Sequence, residues 1–281
     1  MRETDPVIFC LLVATGLFAG CMSGLLGVGG GFIFAPVMYF VLKVSGVAPE
    51  TAILVAFGTS LAVAFPTVLT SALGHTRKGN VIWRDAAVIG VAGVVTGYIG
   101  GTVATFLPVA VLTFLFGVML VIGAVRMITA LPSGDACRLS TPAGVGIGGT
   151  AGFFSGLLGV GGGTIVVPLL TLVGKYQMRY AVATSAAAIV FITLGGIASY
   201  LLNGMTAGVN LSPYGFYLIG YVDLVEWAVL VVTAVPMALL GVRYANRFPD
   251  VLLRRMFVLL MTVIALDMLG VFSLAGSLLG L

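Results

Sequence analysis

The sequence predicts an all-α polytopic membrane protein made of two inverted-topology repeats, each a glycine-broken helical hairpin plus three transmembrane helices. Three observations predict this class: a very apolar composition, a glycine-rich octapeptide present in both halves, and the distribution of lysine and arginine among the loops. Of the 281 residues, 60% are hydrophobic and 8% are charged. A soluble domain usually has roughly a quarter of its residues charged, so the lipid bilayer is the expected surrounding of this chain.

Composition and motifs also argue against several functions. The net charge is only +4, and basic residues in such a chain usually mark cytoplasmic loops, so no nucleic-acid partner is expected. Cys10, Cys21 and Cys137 follow neither a metal-binding nor a disulfide spacing. The dinucleotide fingerprint is broken at Phe32 and Thr164, where its third glycine would stand. With one histidine and no carboxylate expected inside the membrane, we predict no metal site, no cofactor, no catalytic residue and no buried-acid relay.

An internal repeat divides the chain into two halves. The octapeptide "GLLGVGGG" at 24–31 recurs at 156–163, which is 132 positions later (156 − 24). We therefore expect homologous halves at 1–131 and 143–281, joined by a cytoplasmic linker at 132–142.

Two further matches extend the repeat beyond the octapeptide. "GTS" at 58–60 corresponds to "ATS" at 183–185, at an offset of 125 (183 − 58). "GNVIWRDAAVIG" from Gly79 corresponds to "GYVDLVEWAVLV" from Gly220, at an offset of 141 (220 − 79). The repeat therefore covers most of each half, as expected for a transporter built from duplicated halves.

Lysine and arginine determine the orientation of the halves, because these residues favour short cytoplasmic loops. By this rule the cytoplasmic segments are 74–85, the linker, 174–180 and 243–255. The segments assigned to the outside are 43–50, 107–108 and 203–222. Lys43 in segment 43–50 is the one exception to the rule. These assignments require 7–42 and 143–173 each to enter and leave on one side as a hairpin. Three plain crossings per half then invert the second half, and both termini are predicted to be extracytoplasmic.

A second reading of the topology remains open at the level of sequence. If 7–42 is one long kinked helix, the two halves are parallel. Loop 243–255, which is rich in arginine, would then lie outside when loop 74–85 lies inside.

The glycine octapeptide suggests a binding site for an anion. Glycine-rich backbone interrupts a helix, and a helix restarting at Phe32 or Thr164 has unpaired N–H groups and a partial positive charge at its first turn. Two such ends meeting at the midplane would bind an anion. The candidate substrate-binding residues are Ser23, Gly29, Gly30, Gly31, Thr59, Ser60, Ser155, Gly161, Gly162, Gly163, Thr164, Thr184 and Ser185.

Structural roles for the same residues stay open. Small residues in membrane helices often serve only close packing, which would leave a non-transporting scaffold or sensor. His75, the single histidine, is a candidate gate or proton carrier, or else an interfacial histidine that is either hydrogen-bonded or solvated. Asp85 and Glu226 begin equivalent helices, and we interpret them as caps. A homodimer is compatible with the sequence, although no feature of the sequence requires one.

The doubled octapeptide, followed five residues later by Pro36 and Pro168, and the segment "HTRKGNV" resemble the sulfite exporter TauE/SafE family over essentially the whole chain. The resemblance implies a multi-pass permease of the bacterial inner membrane that exports small sulfur-containing anions such as sulfite, sulfonates or sulfoacetate. One departure from symmetry is Tyr221, which stands where the first half has Asn80, so the two half-sites need not be equivalent.

Overall fold

The computed structural model describes residues 6–129, 139–245 and 250–269, and these form helices almost throughout. The ten α-helices of the described residues are α1 (Pro6–Leu26), α2 (Gly31–Val44), α3 (Pro49–Arg77), α4 (Trp83–Ala104), α5 (Val109–Thr129), α6 (Thr141–Leu158), α7 (Gly163–Leu172), α8 (Met178–Ala207), α9 (Leu224–Ala245) and α10 (Asp250–Met268).

Both octapeptides interrupt a helix, as predicted. α1 ends at Leu26 and α2 begins at Gly31, whereas α6 ends at Leu158 and α7 begins at Gly163. α2 has 14 residues and α7 has 10. At about 1.5 Å per residue they are roughly 21 and 15 Å long, and both are shorter than the roughly 20 residues that a crossing needs. We call residues 27–30 the first break and residues 159–162 the second break.

The remaining helices agree with a multi-pass membrane protein. α1, α3, α4, α8 and α9 are each long and apolar enough to cross a bilayer. The apolar stretch 86–125 is divided between α4 and α5, as predicted from its proline.

Some predicted boundaries fall beyond the described residues. α6 begins at Thr141, so the last two residues of the predicted linker are helical. Most of that linker lies outside the described residues, and so do both chain ends, at 1–5 and 270–281.

α3 and α8 form the centre of the molecule. In their most apolar stretches 83% and 72% of the residues are buried, compared with 33–44% in α1, α4 and α9. The two helices pack antiparallel. A Cβ built on Gly58 would lie 3.1 Å from the Cβ of Tyr200, and one on Gly196 would lie 2.6 Å from Leu61 Cδ1.

Glycines of α1 bring its backbone against α9. A Cβ built on Gly16 would lie 3.2 Å from the Leu230 carbonyl oxygen. One turn later Gly20 faces the Ala234 carbonyl, and one turn after that Gly24 faces the Ala238 carbonyl. Because the residue numbers increase together, α1 and α9 run parallel, at a separation that only a side chain of hydrogen permits.

α6 and α4 repeat this packing in the other half. Gly148 faces the Ile89 carbonyl, Gly152 faces the Gly93 carbonyl, and Gly156 faces the Gly97 carbonyl. These three contacts are equivalent to the three α1–α9 contacts. Adding 132 to the residue number in α1 gives the residue in α6, and subtracting 141 from the residue number in α9 gives the residue in α4. The sequence repeat is therefore also a repeat of tertiary contacts.

Other contacts give the relative directions of the helices. α9 runs parallel to α3, since the Trp227 indole donates to the Ala62 carbonyl and Gly74 lies against Val242. α8 runs parallel to α4, since Gly93 lies against Ile192 and Gly101 lies against Ser199. Together with the antiparallel α3–α8 pair, these contacts set α1, α3 and α9 in one direction and α4, α6 and α8 in the other.

α5 and α10, at the ends of the two halves, also pack antiparallel. Gly117 lies against Ala265, whereas Gly123 lies against Met261.

The connection between α8 and α9, residues 208–223, folds back onto α3 and α8. It contains a 3₁₀ turn at Ser212–Tyr214 and a two-stranded hairpin of β1 (Leu218–Ile219) and β2 (Val222–Asp223). The backbone N–H of Tyr221 donates to the Tyr200 carbonyl (3.1 Å), and their rings meet edge to face at 6.4 Å. The connection therefore covers one end of the two central helices.

Candidate functional site

The two glycine breaks cross each other in the core. A Cβ built on Gly31 would lie 2.5 Å from the carbonyl oxygen of Val160 in the second break. Reciprocally, a Cβ built on Gly163 would lie 2.7 Å from the carbonyl oxygen of Val28 in the first break. Any side chain larger than hydrogen at these positions would push the breaks apart.

The crossing lies between the two central helices. A Cβ on Gly29 and one on Gly161 would each lie 3.7 Å from both Ala64 of α3 and Ile189 of α8. Ala64 and Ile189 correspond to each other at the repeat offset of 125 (189 − 64). The candidate site is thus centred where equivalent elements of the two halves meet.

Each break ends in a glycine that caps the following helix. Gly30 has φ +70° and Gly162 has φ +82°, in the left-handed region that favours glycine. The Gly30 carbonyl accepts from the N–H groups of Ile33 (2.9 Å) and Phe34 (3.0 Å), and the Gly162 carbonyl accepts from those of Ile165 and Val166.

The backbone N–H groups that precede these first hydrogen bonds of α2 and α7 are available as donors. Those of Gly29–Gly31 and Gly161–Gly163 donate to no backbone carbonyl of the described residues. A left-handed residue followed by a helical one points successive N–H groups into one concavity, which suits an anion.

Ser60 and Ser185 hold the carbonyls of the breaks. The Ser60 hydroxyl lies 2.8 Å from the Gly159 carbonyl and 3.0 Å from the Gly31 carbonyl. The Ser185 hydroxyl lies 2.9 Å from the Gly27 carbonyl, the equivalent contact in the other half. The sequence suggested both serines as donors to a ligand, but here they donate to carbonyls at the ends of α1 and α6 that the helices leave unpaired.

Thr59 and Thr184 connect the central helices to the starts of α9 and α4. The Thr59 hydroxyl accepts from the N–H of Asp223 (2.9 Å), and the Thr184 hydroxyl accepts from the N–H of Ile82 (3.1 Å). These acceptors again correspond at the repeat offsets. The two threonines therefore tie helices together rather than line the breaks.

Three predicted hydroxyls are buried and have no hydrogen-bonding partner among the described residues. They are the Oγ atoms of Ser23 and Ser155 and the Oγ1 of Thr164, and the residues are 1%, 1% and 2% exposed. The Cβ of Ser155 lies 3.4 Å from a Cβ built on Gly162, beside the N-terminus of α7. An unpaired buried hydroxyl costs about 1–3 kcal/mol, so these groups are suited to a ligand.

His75 is a buried helix-capping residue. It is 2% exposed, and its Nε2 lies 3.3 Å from the Gly24 carbonyl, near the end of α1. At the repeat offset of 125 its counterpart is Tyr200, whose hydroxyl donates to Gly156, the residue equivalent to Gly24 (2.9 Å). The tautomer with hydrogen on Nε2 fits this contact. His75 thus lies in the last turn of α3 with its Nε2 hydrogen-bonded, and its role as a gate or proton carrier stays a prediction.

Three carboxyl groups are buried inside the protein at the starts of α4 and α9 or just before α9. Asp85, Asp223 and Glu226 are 6%, 0% and 4% exposed. The Tyr176 hydroxyl donates to Asp85, which caps no helix. The repeat register could have drawn attention to Asp85 and Glu226, but not to Asp223, which corresponds to Ile82.

The cap of α9 is Asp223 rather than Glu226. Asp223 Oδ1 accepts from the Glu226 N–H (2.8 Å), and Oδ2 accepts from the Tyr217 N–H (2.9 Å). Burial raises the pKa of the Asp223 carboxyl, while these N–H donors and that of Val225 act to lower it. Glu226 Oε2 has no hydrogen-bonding partner within the described ranges.

Charged donors do not contribute to this site. The groups around the breaks are amides, hydroxyls and one imidazole, and among the described residues no cluster of three or more histidine, cysteine or acidic residues could hold a metal ion. An anion would therefore be bound by dipoles.

Comparison with known proteins agrees with the architecture. The chain is 32% identical over 265 residues to a probable membrane transporter protein of Methanocaldococcus jannaschii, covering 92% of this chain and 94% of that one. It is 30% identical over 264 residues to a probable membrane transporter protein of Haemophilus influenzae, covering 93% and 97%. The model of the family described as "Sulfite exporter TauE/SafE" matches residues 12–268. The chain therefore belongs to the sulfite exporter TauE/SafE family of membrane transporters.

Proposed function

We propose that this protein is a secondary transporter of the bacterial inner membrane that exports a small sulfur-containing anion of the sulfite, sulfonate or sulfoacetate type. The anion binds at the membrane midplane between the first turns of α2 and α7. The family membership supports transport of sulfur oxyanions, and the site chemistry supports an anion.

The proposal includes inversion of the two halves. α3 and α8 are equivalent in the repeat and pack antiparallel, and so do α5 and α10. α1 runs with α3 although α2 lies between them, which fits a hairpin that turns back at the first break. These directions support an inverted repeat and argue against one long kinked helix at 7–42.

Helix length supports a site near the midplane. α2 and α7 are about 21 and 15 Å long, and the hydrocarbon core is about 30 Å thick. Two half-helices that enter from opposite faces would place their N-termini near the centre, where their partial positive charges act in a low dielectric.

The observation that carries the proposal is the Ser155 hydroxyl, which is buried, unpaired and adjacent to the helix-capping Gly162. Ser23 is its counterpart in the first half (155 − 132), and it is also unpaired. Thr164 adds a third hydroxyl at the first turn of α7. An anion accepting from these hydroxyls and from the glycine amides would satisfy all of them.

The membrane potential supports export. With a negative interior, outward movement of one negative charge is favoured by about 2.3 kcal/mol per 100 mV, which is roughly a fiftyfold accumulation ratio. Binding by dipoles rather than by a buried lysine or arginine leaves the anion easier to release.

Replacement of Ser155 by alanine tests the site. Hydrogen bonds to charged groups contribute about 1.5–3 kcal/mol, so Ser155→Ala should raise the KM for sulfite in proteoliposomes roughly tenfold or more. Protein stability should hold, because the hydroxyl has no partner to lose. Thr150→Ala is the matched control, since Thr150 is on the same helix and its hydroxyl donates to the Gly146 carbonyl (2.9 Å).

An unchanged KM in both Ser155→Ala and Ser23→Ala would contradict the anion site. Absence of flux for every sulfur anion in the folded wild-type protein would instead favour a scaffold or sensor whose glycines serve packing.

A further inference from the structure

Among the acids that the structure describes, Glu226 is the one with a buried, unpaired side-chain oxygen. The residue is 4% exposed, and its Oε2 has no hydrogen-bonding partner among the described residues. The described lysines and arginines form no ion pair with it. An ionised carboxylate with a buried, unpaired oxygen is unfavourable, and a proton or a bound cation on Glu226 would relieve this cost.

The equivalent residue of the first half is satisfied. Asp85 corresponds to Glu226 at the repeat offset of 141, and it accepts a hydrogen bond from the buried Tyr176 hydroxyl. The acid that lacks such a donor is therefore specific to the second half. Symmetry of the fold does not explain it.

A proton fits the surroundings of Glu226 better than a metal cation does. Protein-bound cations collect several oxygen ligands, whereas Glu226 Oε2 has no hydrogen-bonding partner in the part of the chain that the structure describes. The nearest acid is Asp223, whose two oxygens are already occupied by backbone N–H groups.

Few other titratable groups face this turn of α9. The 208–223 connection contributes Asp223, Tyr217 and Tyr221, and Tyr200 of α8 lies beneath Tyr221. α3 contributes no titratable side chain between Thr59 and Ala62. The acid of α3, Glu50, lies nine residues before Thr59. On α1, Leu12 lies one turn before Gly16. The titratable side chain of α1 nearest to Leu12 in the sequence is Cys10.

Direct contacts link this turn to the glycine breaks. Ahead of α9, the Asp223 N–H donates to Thr59 of α3. One residue after Glu226, the Trp227 indole donates to the Ala62 carbonyl of α3 (3.0 Å). Between those two contacts, the Ser60 hydroxyl lies within hydrogen-bonding distance of the Gly159 carbonyl in the second break and of the Gly31 carbonyl at the start of α2. Movement of the first turn of α9 away from α3 would therefore act on the candidate site.

We propose that Glu226 is a proton-binding site, and that its protonation closes the end of the molecule covered by the 208–223 connection. Ionised Glu226 needs water, which reaches it when the first turn of α9 leaves α3. Uptake of one proton, giving the neutral acid, lets this turn pack again. The proton site stands on its own contacts, and only its effect on flux depends on the proposed function.

Trp227 provides the test, because it adjoins Glu226 and contacts α3. The chain has two tryptophans, so Trp83→Phe leaves Trp227 as the only indole. The emission of purified Trp83→Phe protein should shift with pH in one sigmoidal step. Adding Glu226→Gln, which mimics the neutral acid, should abolish the step, whereas adding the matched Asp85→Asn should leave it.

Persistence of the step in Glu226→Gln, or an emission shift that follows sodium concentration and not pH, would overturn the proposal. The measurement contains no transported anion, so its outcome is separate from that of the Ser155 experiment. Loss of the step in Glu226→Gln together with an unchanged KM in both Ser155→Ala and Ser23→Ala would retain the proton site and reject the anion site. In flux assays, Glu226→Gln should remove the pH dependence on the side of the 208–223 connection.

Discussion

At the scale of single residues, the repeat explains contacts that separate inspection of each side chain does not. His75 and Tyr200 differ chemically, yet both bond to equivalent carbonyls, those of Gly24 and Gly156. Each carbonyl belongs to the last turn of a helix that stops at a break, where no backbone N–H is available. A side chain from a central helix supplies the missing donor. For His75 this capping role requires no titration.

The capping role predicts different outcomes for two substitutions of His75. His75→Gln keeps a donor near the position of Nε2 and should retain both stability and flux. His75→Ala leaves the Gly24 carbonyl unpaired and should destabilise the protein by about 1–3 kcal/mol. Thermal unfolding followed by size-exclusion fluorescence measures the stability. If both variants keep wild-type stability and both lose flux, His75 is a proton carrier rather than a cap.

At the scale of elements, the glycines fall into two groups with different physical roles. Gly20 and Gly152 lie inside continuous helices and permit backbone contact between α1 and α9 and between α6 and α4. Gly30 and Gly162 lie in the breaks and adopt left-handed φ values. Close packing therefore explains the glycines within the helices, whereas the glycines of the breaks have the backbone conformation that the proposed site needs.

Alanine substitutions in α6 distinguish these roles. A Cβ on Gly152 would collide with the Gly93 carbonyl of α4, so Gly152→Ala should destabilise the protein by about 1–3 kcal/mol. Gly149 is on the same helix, and a Cβ there would meet open space. Gly149→Ala should therefore be neutral or stabilise by roughly 0.5–1 kcal/mol. Equal melting temperatures for the two variants would contradict the close packing of α4 and α6.

At the scale of the whole molecule, the sequence predicted the interrupted helices, the two related halves and the division of 86–125, because apolar length and repeated glycine report these directly. The partners that close the breaks were not predictable. The bond from Ser60 to Gly159 joins residues of different halves, and no local pattern encodes that pairing. Asp85 and Glu226 were interpreted only as caps, and Asp223 was missed because the repeat places the apolar Ile82 at the equivalent position.

Inversion of the halves is the central claim, because it brings two positive helix ends to one point from opposite faces. Labelling from each side of the membrane tests it directly. In a background without Cys10, Cys21 and Cys137, single cysteines at Asn80→Cys and Asn210→Cys mark the equivalent α3–α4 and α8–α9 connections. An impermeant thiol reagent should modify Asn80→Cys only from the cytoplasm and Asn210→Cys only from outside. Modification of both from the same side would mean that the halves are parallel, and the shared site between two opposed helix ends would be wrong.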